Sequence, residues 1–513
     1  MTSILQGASP IPKTATGIPG FDHIGFGGLP TGRSTLIAGT AGSGKTIFAL
    51  QFLVAGVRYF SEHGVLVTFE ESADDIVANA RTFGWNLQAK IDAGQIAVID
   101  ATPDPMVTTH EVGMFDLSGL VVRIQQAVKA VNARRVTLDS IGALFPQFRD
   151  ANIVRRDLHR IAAALRSQGI TTLITMERAT EDGPIGRFGI EEFVVDNVLI
   201  MRNRLEREKR RRTVEILKYR GTPHQKGEFP FTIDARDGVT LIPLSATELK
   251  QKSSDIRVSS GIAELDRMCG GGLYKNSVIL VSGATGTGKT LMVTEFIRAA
   301  IQRNERALLI GSEESADQLS RNAAAWGVDF EKAARANLLR MNCRYPEVMG
   351  LEDHLLQIKR DIDEFRPIRI AIDSMSAFER VGSNHSFREF VVGLTSYIKH
   401  LEITGLVTNT TTMSGAVDSV TENHISTITD TIVMLRYVEL HGEMRRGLTV
   451  LKMRGTWHEK EIREYVIDGQ GMRIGRPFRG VHGILTGMPT YGYGQAEGDV
   501  AQQENETPVP LNR

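Results

Sequence analysis

Cysteine is almost absent from this chain of 513 residues, which contains only Cys269 and Cys343. So few cysteines exclude a disulfide-stapled scaffold, and these two lack the spacing of a structural zinc site, which favours a reducing compartment. Neither sign of charge is in excess, because 60 basic residues balance 60 acidic ones. A chain without net charge is not one that works mainly by coating nucleic acid.

Long apolar runs are also missing. No run approaches the about 18 residues that a membrane-spanning helix needs, and the first ten residues lack the features of a signal peptide. We therefore expect a cytoplasmic protein without a membrane segment. The hydrophobic fraction of 42% is ordinary for a globular protein. A chain of this length exceeds one core, so two domains of about 250 residues each are predicted.

The most informative feature that is present is a phosphate-binding motif, G-x-x-x-x-G-K-T, which occurs at 39–46 and again at 283–290. Its glycines let backbone amides surround phosphates, its lysine neutralises the β/γ charge, and its hydroxyl holds Mg²⁺. A β-rich run precedes each motif and a helical pattern follows, so a helix N-terminus faces the phosphates. The residues predicted to bind a nucleoside triphosphate are Gly39, Thr40, Ala41, Gly42, Ser43, Gly44, Lys45, Thr46, Gly283, Ala284, Thr285, Gly286, Thr287, Gly288, Lys289 and Thr290, with Thr46 and Thr290 also as metal ligands.

The motif belongs to a repeat that covers the chain. Three further motifs recur at offsets of 243, 234 and 234 residues, close to the 244 residues between the two loops. So small a drift indicates a duplication with one short net deletion. The recurring pairs are Glu70-Glu71 with Glu313-Glu314, Asp139-Ser140 with Asp373-Ser374, and 217–222 with 451–456.

Each half alternates short β-rich runs with helical patterns. This alternation predicts an α/β fold, in which a mostly parallel sheet is flanked by helices. We expect each half to end in antiparallel strands, because 430–438 and 447–452 in the second half have the pattern of two strands joined by a turn at His441-Gly442. The strands predicted in the first half lie near 34–39, 64–69, 95–100, 135–140, 171–175 and 195–201.

Domain boundaries follow from the repeat and from composition. We predict tandem P-loop domains over 1–245 and 246–490, with the linker in the polar stretch around 244–258. The remainder, 491–513, is rich in Gly, Glu and Gln and is predicted to be a disordered tail.

Two acidic motifs are candidates for catalysis. Asp139 and Asp373 end apolar strands, where an aspartate supports Mg²⁺ in this class of enzyme, although each could instead cap a helix. The pairs Glu70-Glu71 and Glu313-Glu314 follow the second strand of each half. Adjacent carboxylates there can orient and deprotonate a nucleophile and fix the metal, whereas the alternative is a solvated acidic turn.

Two basic pairs lie on a late strand of each half, far along the chain from the phosphate loops. Lys218 with Arg220, and Lys452 with Arg454, could reach the γ-phosphate of a neighbouring subunit as arginine fingers do. That role requires a ring of subunits. The alternative is an edge strand protected from aggregation by its charge.

Taken together, the tandem architecture, the Glu-Glu pairs, both Lys-x-Arg-Gly-Thr strands and the stretch His424-Ile-Ser-Thr-Ile-Thr-Asp-Thr431 resemble the KaiC family of circadian-clock ATPases and autokinases. The resemblance covers about residues 10–490. It implies two RecA-like domains, a double-ringed homohexamer with ATP and Mg²⁺ between subunits, a slow ATPase in the first domain, and reversible phosphate transfer to Ser and Thr side chains in the second.

The resemblance also assigns roles to single residues. It implies phosphorylation at Ser426 and Thr427, with Thr421 as a regulatory site nearby, a metal or catalytic-base role for Glu313 and Glu314, and Trp326 near the adenine. The residues implied to contact ATP bound to the neighbouring subunit are Lys218, Arg220, Thr222, His224 and Lys226 in the first domain and Arg446, Lys452, Arg454, Thr456, His458 and Lys460 in the second.

The sequence argues against one clock-protein partner and for another, and it leaves other functions open. The segment after Val481 departs in character from the family's KaiA-binding segment, which argues against KaiA binding, whereas a KaiB-like partner on the first ring is expected. A timing or stress-adaptation relative without an intact oscillator fits equally well. The other readings are a RecA-like DNA-processing motor, which would need basic loops facing a central channel, and a scaffold whose nucleotides only hold the ring together.

Overall fold

The computed structural model describes residues 11–102, 117–143, 151–185, 194–242, 254–411, 425–440, 442–484 and 490–491. The chain divides into two compact units, Met1–Ala246 and Thr247–Arg513. Most of the predicted linker and of the predicted tail, together with Thr421, lies outside the described residues. No helix in the described ranges is long and apolar enough to cross a membrane.

The first unit is built on one nine-stranded sheet. Six neighbouring strands, from Asn197–Glu206 to Ile96–Asp100, run parallel. The remaining three strands pair antiparallel on the lateral side of the sheet next to Asn197–Glu206. The strands in spatial order are Gly238–Leu241, Glu228–Asp234, Lys209–Tyr219, Asn197–Glu206, Ser34–Gly39, Thr171–Glu177, Arg135–Asp139, Gly64–Thr68 and Ile96–Asp100.

Helices flank this sheet because its central strands are hydrophobic on both faces. Along Ser34–Gly39, Leu36 and Ala38 pack into one buried cluster and Ile37 into another. Each fully buried Leu or Ile stabilises the fold by about 1.5–3 kcal/mol. The helices are Phe21–Ile24, Lys45–Phe60, Ala73–Arg81, Leu87–Asp92, Leu117–Val131 and Ala151–Ser167, and a separate ribbon pairs Lys13–Thr14 with Leu29–Pro30.

The second unit repeats this topology with a second nine-stranded sheet. Its strands in spatial order are Gly471–Pro477, Arg463–Asp468, Glu443–Met453, Thr431–Leu440, Val278–Gly283, Thr404–Thr410, Arg369–Asp373, Ala307–Gly311 and Leu339–Cys343. The predicted antiparallel pair is present as Thr431–Leu440 with Glu443–Met453. The two units therefore confirm the predicted tandem α/β fold with mostly parallel sheets.

The helices of the second unit also follow the repeat. They are Ala263–Met268, Lys289–Gln302, Ala316–Ala325, Phe330–Arg335, Leu351–Phe365, Met375–Glu379, Asn384–His400 and Ile425–Ile428, with a 3₁₀ turn at Pro346–Val348. Two small ribbons pair Arg257–Val258 with Leu273–Tyr274 and Val481–His482 with Thr490–Tyr491.

Candidate functional site

Both phosphate loops end in a glycine that opens the following helix. Gly44 and Gly288 each have φ of 93°, and neither helix start carries a side-chain cap. Their first amides are therefore left for an anionic ligand. A Cβ at Gly44 would lie 2.6 Å from Ile233 Cδ1, and one at Gly288 would lie 2.7 Å from Ile467 Cδ1. Only glycine fits this cradle.

The loop lysines are held over their own loops. Lys45 Nζ donates to the Thr40 carbonyl at 2.9 Å, and Lys289 Nζ donates to the carbonyls of Gly283 and Ala284 at 3.0 Å. Burial lowers the pKa of both ammonium groups, while neighbouring carboxylates oppose the shift. An ammonium bonded only to loop carbonyls is well placed to exchange them for phosphate oxygens.

The predicted metal-supporting aspartates meet the loop threonines. Thr290 Oγ1 donates to Asp373 at 2.7 Å, and Thr408 Oγ1 donates to the other carboxylate oxygen of Asp373 at 2.5 Å. In the first unit Asp139 accepts bonds from Thr46 and Thr175. Burial raises the pKa of Asp139, and these hydroxyl bonds work against that rise.

These oxygens suit Mg²⁺, which prefers hard oxygen ligands and keeps several waters or phosphate oxygens. Within the described ranges no group of three or more His, Cys, Asp or Glu could hold a metal by itself. A magnesium ion at either loop would therefore take most of its ligands from nucleotide and water. Thr46 and Thr290 are the side chains placed to hold it, with Asp139 and Asp373 behind them.

The first Glu-Glu pair splits into two environments. Burial raises the pKa of the Glu70 carboxyl, and the nearby charges of Asp139 and Glu177 raise it further. Glu71 instead accepts a hydrogen bond from Asn79 Nδ2 at 2.9 Å. Glu70 therefore faces the loop, whereas Glu71 is held toward the neighbouring helix.

The second pair divides in a related way. Glu313 interacts with Lys289 electrostatically and lies 3.7 Å from an Arg380 guanidinium nitrogen. Glu314 accepts from Asn322 Nδ2 at 2.8 Å, as Glu71 does from its asparagine. Burial raises the pKa of Glu314, and the charge of Asp373 adds to the rise. A carboxylate with a raised pKa is suited to accept a proton near neutral pH.

Sequence reasoning missed further groups beside the first loop. A cavity of about 830 Å³ next to Thr40 is lined by Glu177, Glu181, Asn203 and Arg210 among others. Thr40 Oγ1 donates to Glu181 at 2.5 Å. Glu177 pairs with Gly39 across the sheet, and Thr410 takes that register position in the second unit. A search for repeated motifs therefore could not find Glu177, although its place at a strand end is a signal in the sequence.

The strand Lys209–Tyr219, which carries Lys218, ends at the edge formed by the amino ends of the parallel strands. The phosphate loop lies at the other edge, formed by their carboxyl ends. Lys218 pairs with Val198, which is level with Leu36, about 10 Å before Gly39 along the strand. Arg220 lies still farther away. The residues after this strand continue at that edge, where His224 packs edge-to-face on Tyr219 at 5.6 Å. Thr222 and Lys226 belong to the same segment.

The second unit divides the predicted nucleotide contacts between two edges. Lys452 pairs with Ile432 at the edge opposite the loop, and Arg454 follows it there. Arg446 pairs with Tyr437, two residues beyond the point where Leu435 meets Gly283, so it lies at the loop edge. Arg446 is thus separated from Lys452, Arg454, Thr456, His458 and Lys460, with which the resemblance had grouped it.

The two predicted phosphorylation sites lie beside the second basic pair. Lys452 Nζ donates to the carbonyls of Ser426 and Thr429 at 2.7 and 2.9 Å, and an Arg454 guanidinium nitrogen donates to the Thr427 carbonyl at 2.7 Å. Ser426 is buried and Thr427 is exposed. The short helix that carries them precedes Thr431–Leu440, so both hydroxyls lie at the edge opposite their own loop.

Trp326 ends the helix Ala316–Ala325 and packs, partly buried, against the core of the second unit. That helix follows the Glu313-Glu314 pair, at the carboxyl edge of the sheet where the phosphate loop lies. Trp326 is at the far end of this helix, about 15 Å from its start, so the start of the helix does not fix its distance from the loop, and its place near the adenine stays a prediction.

Known proteins resemble the chain over most of its length. A family model described as the KaiC ATPase matches residues 14–246 and 258–478. The circadian clock protein KaiC3 of Synechocystis sp. is 58% identical over 483 residues, which cover 94% of this chain and 95% of that protein. The circadian clock oscillator proteins KaiC of Thermostichus vulcanus and Synechococcus elongatus are 55% and 54% identical, over 94% of this chain and 93% and 92% of theirs.

Proposed function

The chain belongs to the KaiC family of ATPases, and we propose that it is an ATP-hydrolysing serine/threonine autokinase and autophosphatase that works as a hexameric ring in biological timing. One observation carries the proposal. Ser426 and Thr427 lie at the edge opposite their own phosphate loop, beside Lys452 and Arg454. Hydroxyls there cannot reach phosphates bound in the same domain. We propose that in the ring this edge faces the loop of the next subunit.

The transfer step uses groups from two subunits. The hydroxyl oxygen of Ser426 or Thr427 forms a bond to the γ-phosphorus of the neighbour's ATP while the bond to the bridging oxygen breaks and ADP leaves. The hydroxyl proton passes to the Glu314 carboxylate of the subunit that binds the nucleotide. Lys289 on that subunit, and Lys452 and Arg454 on the acceptor subunit, hold the developing charge.

Magnesium, when bound, neutralises phosphate charge and orients the γ-phosphate for in-line attack. Thr290 would hold it, with Asp373 behind the threonine, and we add Glu313 as a further ligand because the resemblance gives that position a metal role. Reversal of the same step returns the phosphoryl group to ADP and forms ATP, and hydrolysis of that ATP by water then releases inorganic phosphate, which completes the autophosphatase activity.

The first domain has the same loop apparatus but a different acceptor. Its sequence reads Ile190-Glu-Glu-Phe-Val near the position of the phosphorylation sites, so it lacks hydroxyl side chains there; residues 190–193 lie outside the described ranges. Water is then the acceptor, and Glu70 and Glu71 are the carboxylates available to orient it. We propose slow hydrolysis by this domain, and docking of a KaiB-like protein on its ring.

The first test is phosphopeptide mass spectrometry after the purified protein is incubated with ATP and Mg²⁺, beside a Ser426→Ala/Thr427→Ala variant. We expect phosphate on one or both residues and none on the variant. ATP hydrolysis without phosphoprotein would refute the autokinase and leave a ring ATPase, in which case stimulation of turnover by DNA would be measured next.

A mixing experiment tests transfer between subunits. One chain carries Glu314→Gln with both hydroxyls intact, and the other carries Ser426→Ala/Thr427→Ala with Glu314 intact. Neither should be phosphorylated alone, and after the subunits exchange, phosphate should appear on the Glu314→Gln chain. Phosphorylation of neither chain in the mixture would contradict transfer across the subunit boundary.

A further inference from the structure

Arg257, in the first short strand of the second domain, binds three parts of that domain with one guanidinium group. Nη1 donates to the carbonyls of Cys269 and Gly272 at 3.1 and 2.8 Å, and Nη2 donates to Thr456 Oγ1 at 2.8 Å. The Cζ atom of the group lies 3.7 Å from the centre of the Tyr274 ring. A guanidinium with this many contacts has one orientation, since its donors form a rigid fork.

The segment that receives the third bond is the one proposed to contact the neighbour's nucleotide, residues 454–460. It is tied at two more points. Tyr274 Oη donates to the Gly455 carbonyl at 3.2 Å, and the Glu459 amide donates to the Met268 carbonyl at 2.8 Å. Three anchors thus come from the ribbon and helix that open the domain.

In the hydrogen bond between Arg257 and Thr456, the donor and the acceptor are fixed by the chemistry of the two side chains. Arginine has five donors and no acceptor, so the Thr456 hydroxyl must be the acceptor in this bond. Its own hydrogen is therefore left to donate elsewhere. A phosphate oxygen accepts such a bond, and an oriented donor loses less entropy on binding than a freely rotating one.

We propose that Arg257 and Tyr274 are positioning residues that hold residues 454–460 ready to contact the neighbouring subunit's nucleotide, with the Thr456 hydroxyl presented as a donor. The inference rests on the proposed function, which places this segment against the nucleotide. It adds that contacts from Arg257 and Tyr274 set the geometry of residues 454–460.

The first domain offers a natural comparison. Lys13 takes the position of Arg257; its Nζ donates to the Gly25 carbonyl at 3.0 Å and lies 4.2 Å from the centre of the Tyr219 ring. Thr222, the counterpart of Thr456, donates to the carbonyl of its own neighbour Pro223 at 3.4 Å. The Arg–Thr bond therefore distinguishes the domain that transfers phosphate to side chains.

The test measures the initial rate of Ser426 and Thr427 phosphorylation against ATP concentration in the full chain. Arg257→Ala should raise the KM for ATP on the order of tenfold, and Tyr274→Phe, which removes one hydroxyl, about threefold. Arg257→Lys should restore part of the loss. Arg267→Ala, which removes an exposed arginine on the adjoining helix, should change nothing.

A double variant separates positioning from folding. If Arg257 acts through Thr456, Arg257→Ala should raise KM little further in a Thr456→Val chain, whereas independent effects would multiply. Unchanged KM in both Arg257→Ala and Tyr274→Phe, or multiplying effects in the double variant, would overturn the inference. A wild-type chain that acquires no phosphate would instead overturn the proposed function.

Discussion

The two phosphate-loop domains share a sheet topology and a glycine cradle, but they differ in the side chains around each loop. The first loop is crowded with carboxylates, since Glu70, Glu177 and Glu181 all act on Lys45 together with Asp139. In the second domain Thr410 stands at the register of Glu177, and the charges acting on Lys289 are those of Asp373 and Glu313. One duplicated backbone can therefore support two different electrostatic settings.

The opposite edges differ as well. In the second domain the carbonyls of Ser426 and Thr427 accept hydrogen bonds from the basic pair Lys452 and Arg454. The nearby segment 454–460 is bound by Arg257 and Tyr274. The first domain places a lysine where the second has Arg257. The comparison indicates that the two domains differ in residues at the ends of their strands rather than in the core, and these residues would separate the two proposed activities. Four measurements test this difference between the domains.

The largest effect is expected from the glutamates. Glu314→Gln removes a proton acceptor, so phosphorylation of Ser426 and Thr427 should fall on the order of a hundredfold or more. Glu70→Gln should instead lower release of inorganic phosphate. Quantitative phosphopeptide analysis and a phosphate-release assay measure the two activities, and Glu331→Gln at an exposed site serves as control. Wild-type phosphorylation in Glu314→Gln would remove the proposed division of roles.

The next effect concerns the hydroxyls behind the metal site. Thr408→Val removes a bond to Asp373, and loss of such a supporting bond weakens metal binding roughly 10–100-fold. The Mg²⁺ concentration for half-maximal phosphorylation should therefore rise. Thr395→Val, which removes a buried hydroxyl bonded within a helix, should leave it unchanged. Equal Mg²⁺ dependence in the two variants would show that Thr408 does not support the site.

A smaller effect is expected on stability. Gln51 binds the backbone of Asp237 and Val239 through three hydrogen bonds. Its counterpart Glu295 is 1% exposed and forms an ion pair with Arg298. Within the described ranges neither carboxylate oxygen of Glu295 has a hydrogen-bond partner. Glu295→Gln should therefore stabilise the second domain by about 1–2 kcal/mol at neutral pH. Thermal unfolding followed by calorimetry measures this, with Gln51→Glu as the reciprocal, destabilising change.

The sign of the pH dependence follows from burial, which raises the pKa of Glu295 in the folded chain. A group whose pKa is higher when folded contributes stability at low pH, and that contribution is lost as pH rises from the unfolded toward the folded pKa. The advantage of Glu295→Gln should consequently grow with pH across that window. An advantage that shrinks with rising pH would mean that Glu295 does not carry the buried proton.

The smallest effect separates Lys13 from Arg257. Burial lowers the pKa of Lys13 to about 8, so near pH 8 about half of its amines are neutral, whereas the Arg257 guanidinium stays charged. We expect Lys13 to react with an amine-selective acylating reagent faster than exposed Lys226, as measured by peptide mass spectrometry over pH 7–10. The excess should shrink as pH rises from 8 toward 10, because Lys13 is by then almost fully neutral and gains no further reactivity. Equal rates at pH 8 would contradict the lowered pKa.

Much of the fold was predictable because its signals are local or repeated. The parallel strands have continuous hydrophobic runs, and the glycine–lysine loops have little tolerance for substitution. Glu177 was missed because the second domain has no counterpart. The resemblance grouped Arg446 with residues at the other edge, because a match of motifs does not reveal which end of a strand a residue occupies. That position depends on pairing between strands that are distant in the chain, such as the pairing of Gly283 with Leu435.

The chemistry of the chain was determined by sequence alone: two phosphate loops, their hydroxyls and aspartates, the glutamate pairs and a duplicated α/β topology. These depend on residue type and short spacing. Tertiary structure decided how they are arranged. Strand register placed the loops at one edge of each sheet and residues Ser426 and Thr427 at the other edge of the second sheet. Packing of the ribbon that opens the second domain brought Arg257 within hydrogen-bond distance of Thr456. Such arrangements arise from contacts between distant segments, which no local pattern encodes.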